Sequence, residues 1–319
     1  MATKGAEESR EGVRLTNLDQ PLFDGADATK RDLVDYLDGV HARLIPQLEQ
    51  RPLSVIRVHR GQEAFMQKNV PKYAPDWLSR VEIWAEASKR TVSYALCNDR
   101  RSLLWFANQR AIEYHPALAR ADAPEHPTHL VLDLDPPEGD SFAMAVRAAQ
   151  AVRTALADVG LAGAVKTSGA KGVHVYVPVD DETSFDDAAA ATRAIAARTE
   201  RLDPDLATTE FMKEDRAGKV FVDSTRVGGA TVIAVYSPRV RPNVPVSFPL
   251  AWSDLESVAP ADFTVHTALD ILGDRDPWTN EMPAAQTLPA DLVEEGHAIP
   301  IARVQAMHEG KRRARERRP

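Results

Sequence analysis

Three aspartates carry the strongest chemical signal in the chain. Asp133 and Asp135 stand at i and i+2 in THLVLDLD, residues 128–135. In a strand this spacing puts both carboxylates on one face, about 6–7 Å apart at the backbone. Leu130, Val131, Leu132 and Leu134 make the strand half-buried, and Pro136, Pro137 and Gly139 end it at once. Strand ends are where α/β sheets place sites. Two acids this close raise each other's pKa unless a cation lies between them. Asp223 closes a second such segment, KVFVD, residues 219–223. Three carboxylates on adjacent strand ends would form an oxygen-only site for Mg²⁺ or Mn²⁺. Such sites serve phosphoryl chemistry. Whether Asp223 comes to lie beside the pair is a question for the fold.

Candidates for holding phosphate follow. In KTSGAKGVHVYVP, residues 166–178, Ser168 and Gly169 can turn tightly, Lys171 adds a cation and His174 lies on the next strand. The segment lacks the full spacing of a P-loop, so a polar turn before a strand reads equally well. In YSPRVRP, residues 236–242, Ser237 offers a hydroxyl. Arg239 and Arg241, two residues apart, can grip phosphate bidentately. An exposed basic loop is the plainer alternative. Lys213, Arg216 and Lys219 add positive charge ahead of Asp223.

The elements that must position these residues are legible. Residues 141–158 and 183–200 are Ala-rich with helical apolar spacing, and Gly160 stops the first. Strands are predicted at 128–135, 172–179, 219–223 and 230–236. Strands separated by helices, then strands in succession, predict an α/β (α+β) domain with a mixed sheet. Pro238, Pro242, Pro245 and Pro249 mark an irregular stretch inside it.

The 319 residues carry 39 Lys+Arg against 47 Asp+Glu, a formal charge of −8. This argues against non-specific coating of nucleic acid but permits a local basic groove. Cys97 is the single cysteine, which excludes a disulfide-stapled fold. No run of 18 apolar residues and no N-terminal secretory pattern exists. The expectation is a cytoplasmic, nucleoid-associated protein with no membrane partner. The expected organisation is a flexible tail at 1–12, one domain at 13–308 and a basic tail at 309–319, ending KRRARERRP.

DLDPPEGD, TSGAKGVHVYVP, KVFVDSTR and YSPRVR occur in that order. With RLTNLDQPLF, FMQKNVP, EYHPALAR and MKEDRAGK they make the chain resemble the polymerase module of bacterial end-joining ligase D. That module belongs to the archaeo-eukaryotic primase superfamily. The likeness runs from residue 14 to about Trp278 and implies a primase-like fold with an RRM-like mixed sheet flanked by helices. It implies that Asp133, Asp135 and Asp223 bind two Mn²⁺ or Mg²⁺ ions. Ser168, Lys171, His174, Arg239 and Arg241, with Ser237, would hold a nucleoside triphosphate, and His115 would lie near its sugar or base. Phe65 would stack on a template base, with Met66 in place of a common aromatic. Lys30 matches a lysine used for a 5′-phosphate; Lys68, Lys213 and Arg216 would complete the DNA contacts.

The implied reaction is template-directed addition of nucleotides, with ribonucleotides preferred, to a DNA primer-template or gapped duplex. Two departures bear on its setting. Asp19-Gln20-Pro21-Leu22 stands where relatives often have D-K-V-L, which removes a phosphate-binding lysine at Gln20. The third motif reads V-D-S-T-R-V-G-G in place of V-D-x-x-Q-N. Together they point to gap filling or excision repair. The alternative is end joining at double-strand breaks with a ligase supplied in trans. A haloacid dehalogenase-type phosphatase also uses D-x-D at a strand end, but Pro137 stands where it wants Thr or Val. A catalytically dead nucleic-acid scaffold is the remaining rival.

Overall fold

The computed structural model describes residues 8–59, 61–85, 89–139, 141–227 and 231–300. The expected basic tail at 309–319 lies outside the described residues. At the N-terminus, β1 (Glu8–Arg10) pairs antiparallel with β2 (Val13–Leu15). Residues 8–12, expected to be frayed, therefore belong to a hairpin. Ion pairs tie it to the first helix: Arg10 meets Asp35 at 2.6 Å and Asp38 at 3.0 Å, and Glu8 meets Arg31 at 2.8 Å. That helix, α1 (Lys30–Leu48), starts at a reciprocal cap between Thr29 and Asp32. The cap satisfies backbone N–H groups that a helix start leaves unpaired.

A five-stranded sheet follows, formed by β3 (Leu53–Arg57), β4 (Phe65–Gln67), β5 (Arg80–Ala85), β6 (Arg90–Ala95) and β7 (Ala111–Pro116). Its order is β4-β3-β6-β5, with β7 also paired to β3. Helix α2 (Arg100–Asn108) packs against α1 between the last two strands in sequence. A short hairpin, β8 (Ala119–Arg120) and β9 (Ala123–Pro127), leads into the second sheet.

That second sheet positions the chemistry. Its strands are β10 (His129–Asp135), β11 (Ala164–Thr167), β12 (Val173–Pro178), β13 (Ala207–Thr208), β14 (Val220–Asp223) and β15 (Pro249–Leu250), in the order β13-β14-β10-β12-β11-β15. All pairs are antiparallel except β13 with β14. Leu130, Leu132 and Leu134 face Val177, Val175 and Val173 across β10 and β12 and form one apolar surface. Each of these six side chains is fully buried; such a residue contributes about 1.5–3 kcal/mol relative to exposure. Helices α3 (Phe142–Ala157) and α4 (Phe185–Leu202) pack on these strands and on each other, their alanines allowing close approach. Helix α4 is capped by Ser184, whose hydroxyl accepts from the Asp187 N–H at 3.1 Å. Short α5 (Ala268–Leu272) and α6 (Pro277–Glu281) precede α7 (Ala290–Ala298), which lies along α4.

The fourth predicted strand does not form. Residues 231–236 are irregular, and residue 230 lies outside the described residues. Val232, Ile233, Ala234 and Val235 are buried, which gives the segment its strand-like apolar run. It makes single backbone bonds, Ala234 N–H to Tyr114 O and Tyr236 N–H to Ser247 O, in place of a ladder. The proline-marked stretch that follows is irregular as expected from Pro238 to Pro245, with isolated bridges at those two prolines; its last proline, Pro249, instead opens strand β15.

Candidate active site

Cross-strand register brings the first and third acidic motifs together. Asp133 on β10 lies directly opposite Asp223 on β14, and directly opposite His174 on β12; His174 in turn lies opposite Lys166 on β11. Residues directly opposed in an antiparallel pair share a face. Lys166, His174, Asp133 and Asp223 therefore form one row across four strands. Lys166 and Asp223 were on no shared segment, and only the fold joins them.

Each member has defined partners. Lys166 is fully buried and its ammonium donates to the Ser247 hydroxyl at 2.7 Å, with His174 Nδ1 at 2.9 Å. His174 Nε2 lies 3.1 Å from Asp133 Oδ1. A carboxylate only accepts, so Nε2 carries the proton and Nδ1 accepts from Lys166. Burial and the Lys166 charge push the imidazole down to about 4, so it is neutral at neutral pH. For Asp133, burial opposes ionisation, but His174 and Arg226 outweigh it and hold the carboxyl well below the usual range. At neutral pH His174 contributes only its N–H and Arg226 the charge; at the low pH where Asp133 would protonate, His174 is charged as well and adds to the pull. Asp135 follows on the same face and stays half-exposed. Its carboxyl is raised by burial and by the Asp133 charge, against the pull of Lys171, Arg216 and Lys213.

Arg226 sits between the two opposed acids. Its Nη2 is 2.8 Å from Asp133 Oδ2 and 3.1 Å from Asp223 Oδ2. Among the described residues, no group of three or more His, Cys, Asp and Glu side chains is arranged to hold a metal ion. Two anionic oxygens that already share one cation are nonetheless the donor chemistry a hard divalent ion takes.

The glycine-containing loop lies beside this row. Ser168 Oγ accepts from the Ala170 and Gly172 N–H groups at 3.2 and 3.1 Å and closes the turn. Gly169 has φ +69°, and a Cβ there would come within 2.7 Å of Arg239 Cγ. A Cβ at Gly172 would meet the Leu134 carbonyl oxygen at 2.5 Å, so the loop can reach β10 only as glycine. Lys171 pairs with Glu138 at 3.3 Å. A cleft of about 450 Å³ is lined by Lys171, Arg241, Glu138 and Asn243. Arg241 is exposed there, whereas Arg239 points inward, so the two do not act as the parallel pair that their spacing suggested.

Glu113 organises the opposite wall. This buried carboxylate accepts from Arg239 Nε at 3.2 Å and from the Val240 N–H at 2.9 Å, and its other oxygen lies 3.0 Å from His115 Nε2. Arg239 Nη1 donates to the Ser168 carbonyl at 2.8 Å. His115 is thus tied to Arg239 through one acid. Burial works against the Glu113 charge, but His115 and Arg239 keep its carboxyl below the usual range. Sequence reasoning named His115 and passed over Glu113, although i, i+2 alternation on β7 puts both on one face.

Three expected site residues are engaged elsewhere. The buried Ser237 hydroxyl accepts the Tyr114 N–H at 2.9 Å and donates to the Pro238 carbonyl at 3.1 Å, a staple within the fold. His174 has both ring nitrogens committed within the row, to Asp133 and to Lys166. Lys30 is only 2% exposed. Its ammonium is held by the Thr16 carbonyl at 2.5 Å and Asn108 Oδ1 at 2.7 Å, and burial and the Arg110 charge lower it to about 8. Lys30 therefore presents no surface to a 5′-phosphate, and Gln20 beside it accepts from Arg110 at 2.9 Å.

The expected DNA contacts separate into two groups. Phe65 and Met66 on β4 are 37% and 45% exposed, and Lys68 follows them at the surface. Arg57 and His59 flank the Phe65 ring at 5.8 and 5.2 Å. Lys213 is exposed, 3.8 Å from Glu138. Arg216 stacks on the Phe221 ring at 3.9 Å, with its Nη1 3.9 Å from Asp135.

The chain matches the family model described as LigD, primase-polymerase domain, over residues 29–278. It is 38% identical over 262 residues to the multifunctional non-homologous end joining DNA repair protein LigD of Mycobacterium tuberculosis, covering 79% of this chain and 34% of that protein. It is 35% identical over 263 residues to the bifunctional non-homologous end joining protein LigD of Bacillus subtilis, covering 81% and 42%. The chain thus spans between a third and a half of the length of these relatives. Among solved structures, the polymerase domain from Mycobacterium tuberculosis Ligase D in complex with DNA superposes with a TM-score of 0.76 at 35% identity, covering 85% of this chain and 99% of that one. Family model, identity and fold agree, and the chain belongs to the LigD primase-polymerase domain family of nucleotidyltransferases.

Proposed function

We propose that this protein extends a DNA primer strand by template-directed nucleotide addition, filling gaps at DNA ends during repair in the cytoplasm. The observation that carries the reading is the in-register opposition of Asp133 and Asp223, with one oxygen of each converging on Arg226 Nη2. The bound ions, Mn²⁺ or Mg²⁺, would activate the primer hydroxyl and neutralise charge on the triphosphate. Asp133, Asp135 and Asp223 would hold them. Lys166 and His174 fix the outer oxygen of Asp133, so that its inner oxygen faces the site. Lys171 and Arg241 lie where they can meet phosphate in the cleft, and Glu113 sets Arg239 and His115 on the nucleotide side. The sequence being copied would be read by base pairing, so Phe65, Met66 and Lys68 need only stack and screen charge.

The relatives' names place them in non-homologous end joining, and end joining with a ligase is the pathway we favour. Buried Lys30, and Gln20 engaged by Arg110, favour a weak grip on a downstream 5′-phosphate. The phosphatase reading loses its support, because the Asp133 strand lies between two antiparallel neighbours. The test is extension across a short gapped duplex, with or without a 5′-phosphate, using ribo- or deoxyribonucleotides. Metal-dependent extension that Asp133→Ala abolishes, little helped by the 5′-phosphate, supports the reading. Extension by Asp133→Ala overturns it.

A further inference from the structure

Each carboxylate of the opposed pair has one oxygen anchored by other groups and one held by Arg226. Asp133 Oδ1 faces His174 Nε2 at 3.1 Å, and Asp223 Oδ1 accepts from the Thr225 N–H and hydroxyl at 2.8 and 2.6 Å. The remaining oxygens, Asp133 Oδ2 and Asp223 Oδ2, converge on a single nitrogen, Arg226 Nη2. Arg226 Nε adds a second bond to Asp133 Oδ2 at 3.1 Å. The short turn Thr225–Val227 that follows β14 holds the guanidinium there, and its side chain keeps 37% exposure, which leaves it a way out. Opposed carboxylates on neighbouring strands repel.

We propose that Arg226 is a positioning residue that serves as the resident counter-ion of Asp133 and Asp223, occupies the point where a divalent ion would bind, and must be displaced before the ion can enter. The inference rests on the reading of these acids as metal ligands. It has a consequence of definite sign. A purely structural arginine, once removed, would let the acids splay and weaken ion binding. A competing arginine, once removed, strengthens it.

The experiment is a Mn²⁺ titration of the full chain without nucleotide, followed by the electron paramagnetic resonance signal of free Mn²⁺. Arg226→Gln should bind Mn²⁺ about tenfold more tightly than wild type, and Arg226→Met, the same length and uncharged, should do the same. Arg226→Lys, which keeps the charge, should stay within about threefold of wild type. Adding Asp133→Asn to Arg226→Gln should erase the gain. Equal or weaker binding by both neutral variants, with thermal melting showing them folded, overturns the counter-ion role and leaves the proposed function standing. If neither wild type nor the two neutral Arg226 variants bind Mn²⁺, both the counter-ion role and the reading of these acids as metal ligands are overturned.

Discussion

The two sheets present their candidate site residues in opposite ways. On the six-stranded sheet, Lys166, His174, Asp133 and Asp223 are buried or nearly so, and every head group has a partner at a fixed distance. On the five-stranded sheet, Phe65 and Met66 stand at the surface, and Lys68 beside them. Bond-making chemistry needs groups fixed before the substrate arrives. Contact with a nucleic acid of any sequence needs exposed rings and cations that tolerate movement. Strand β7 joins the two, because it pairs with β3 and carries Glu113 and His115 to Arg239.

The largest effect should come from the buried row. Asp133→Asn keeps the shape and removes the charge. It should lower primer extension at least a thousandfold while leaving primer-template affinity within about twofold, read by fluorescence anisotropy. Loss of both together would erase the distinction between the sheets. Glu113→Gln comes next. It keeps the acceptor for the Val240 N–H but weakens the clamp on Arg239 and His115, so KM for nucleotide should rise about tenfold with kcat changed less than threefold. The surface pair should behave in the converse way. Phe65→Ala with Met66→Ala should weaken primer-template binding about tenfold, in line with roughly 1–3 kcal/mol per stacked base, and leave KM for nucleotide nearly unchanged.

The smallest effect separates the sheets by acid. His174 and His129 are buried, with pKa values pushed down to about 4 and about 3 by burial, aided by Lys166 and Arg51 respectively. In the unfolded chain they take up protons near pH 6.5. Between pH 6.5 and 4 the unfolded state therefore binds more protons, and stability falls as pH falls. Thermal melting should drop by several degrees across that window, and His129→Gln, if folded, should flatten the slope. A flat profile for wild type would mean that these rings are solvated.

Much of this was legible in the chain. Asp133 and Asp135 announced themselves because strand alternation is local and Pro136 and Pro137 mark the strand end. Helices α3 and α4 appeared within two residues of their expected bounds, because alanine-rich apolar spacing is also a local signal. The residues that were missed act across strands. Lys166 and Glu113 gain their partners from register, and register depends on segments distant in sequence. Arg226 was noticed only as a departure from a motif, since a sequence cannot show where its guanidinium points. Residues 231–236 misled because burial alone produces an apolar run, whether or not a ladder forms. The β1–β2 hairpin was hidden because β1 is polar and held by ion pairs, and the Val13–Leu15 alternation of β2 is too short to establish a period. Lys30 matched its motif and was turned inward by Asn108, a partner 78 residues away.

The most direct test of the whole account is a crystal soaked with Mn²⁺ and a non-hydrolysable nucleotide, with the anomalous signal of manganese mapped. The account predicts a peak within coordination distance of both Asp133 Oδ2 and Asp223 Oδ2, with Arg226 moved aside. A peak bound to only one of these acids, or lying elsewhere in the cleft with Arg226 still bridging them, would contradict it.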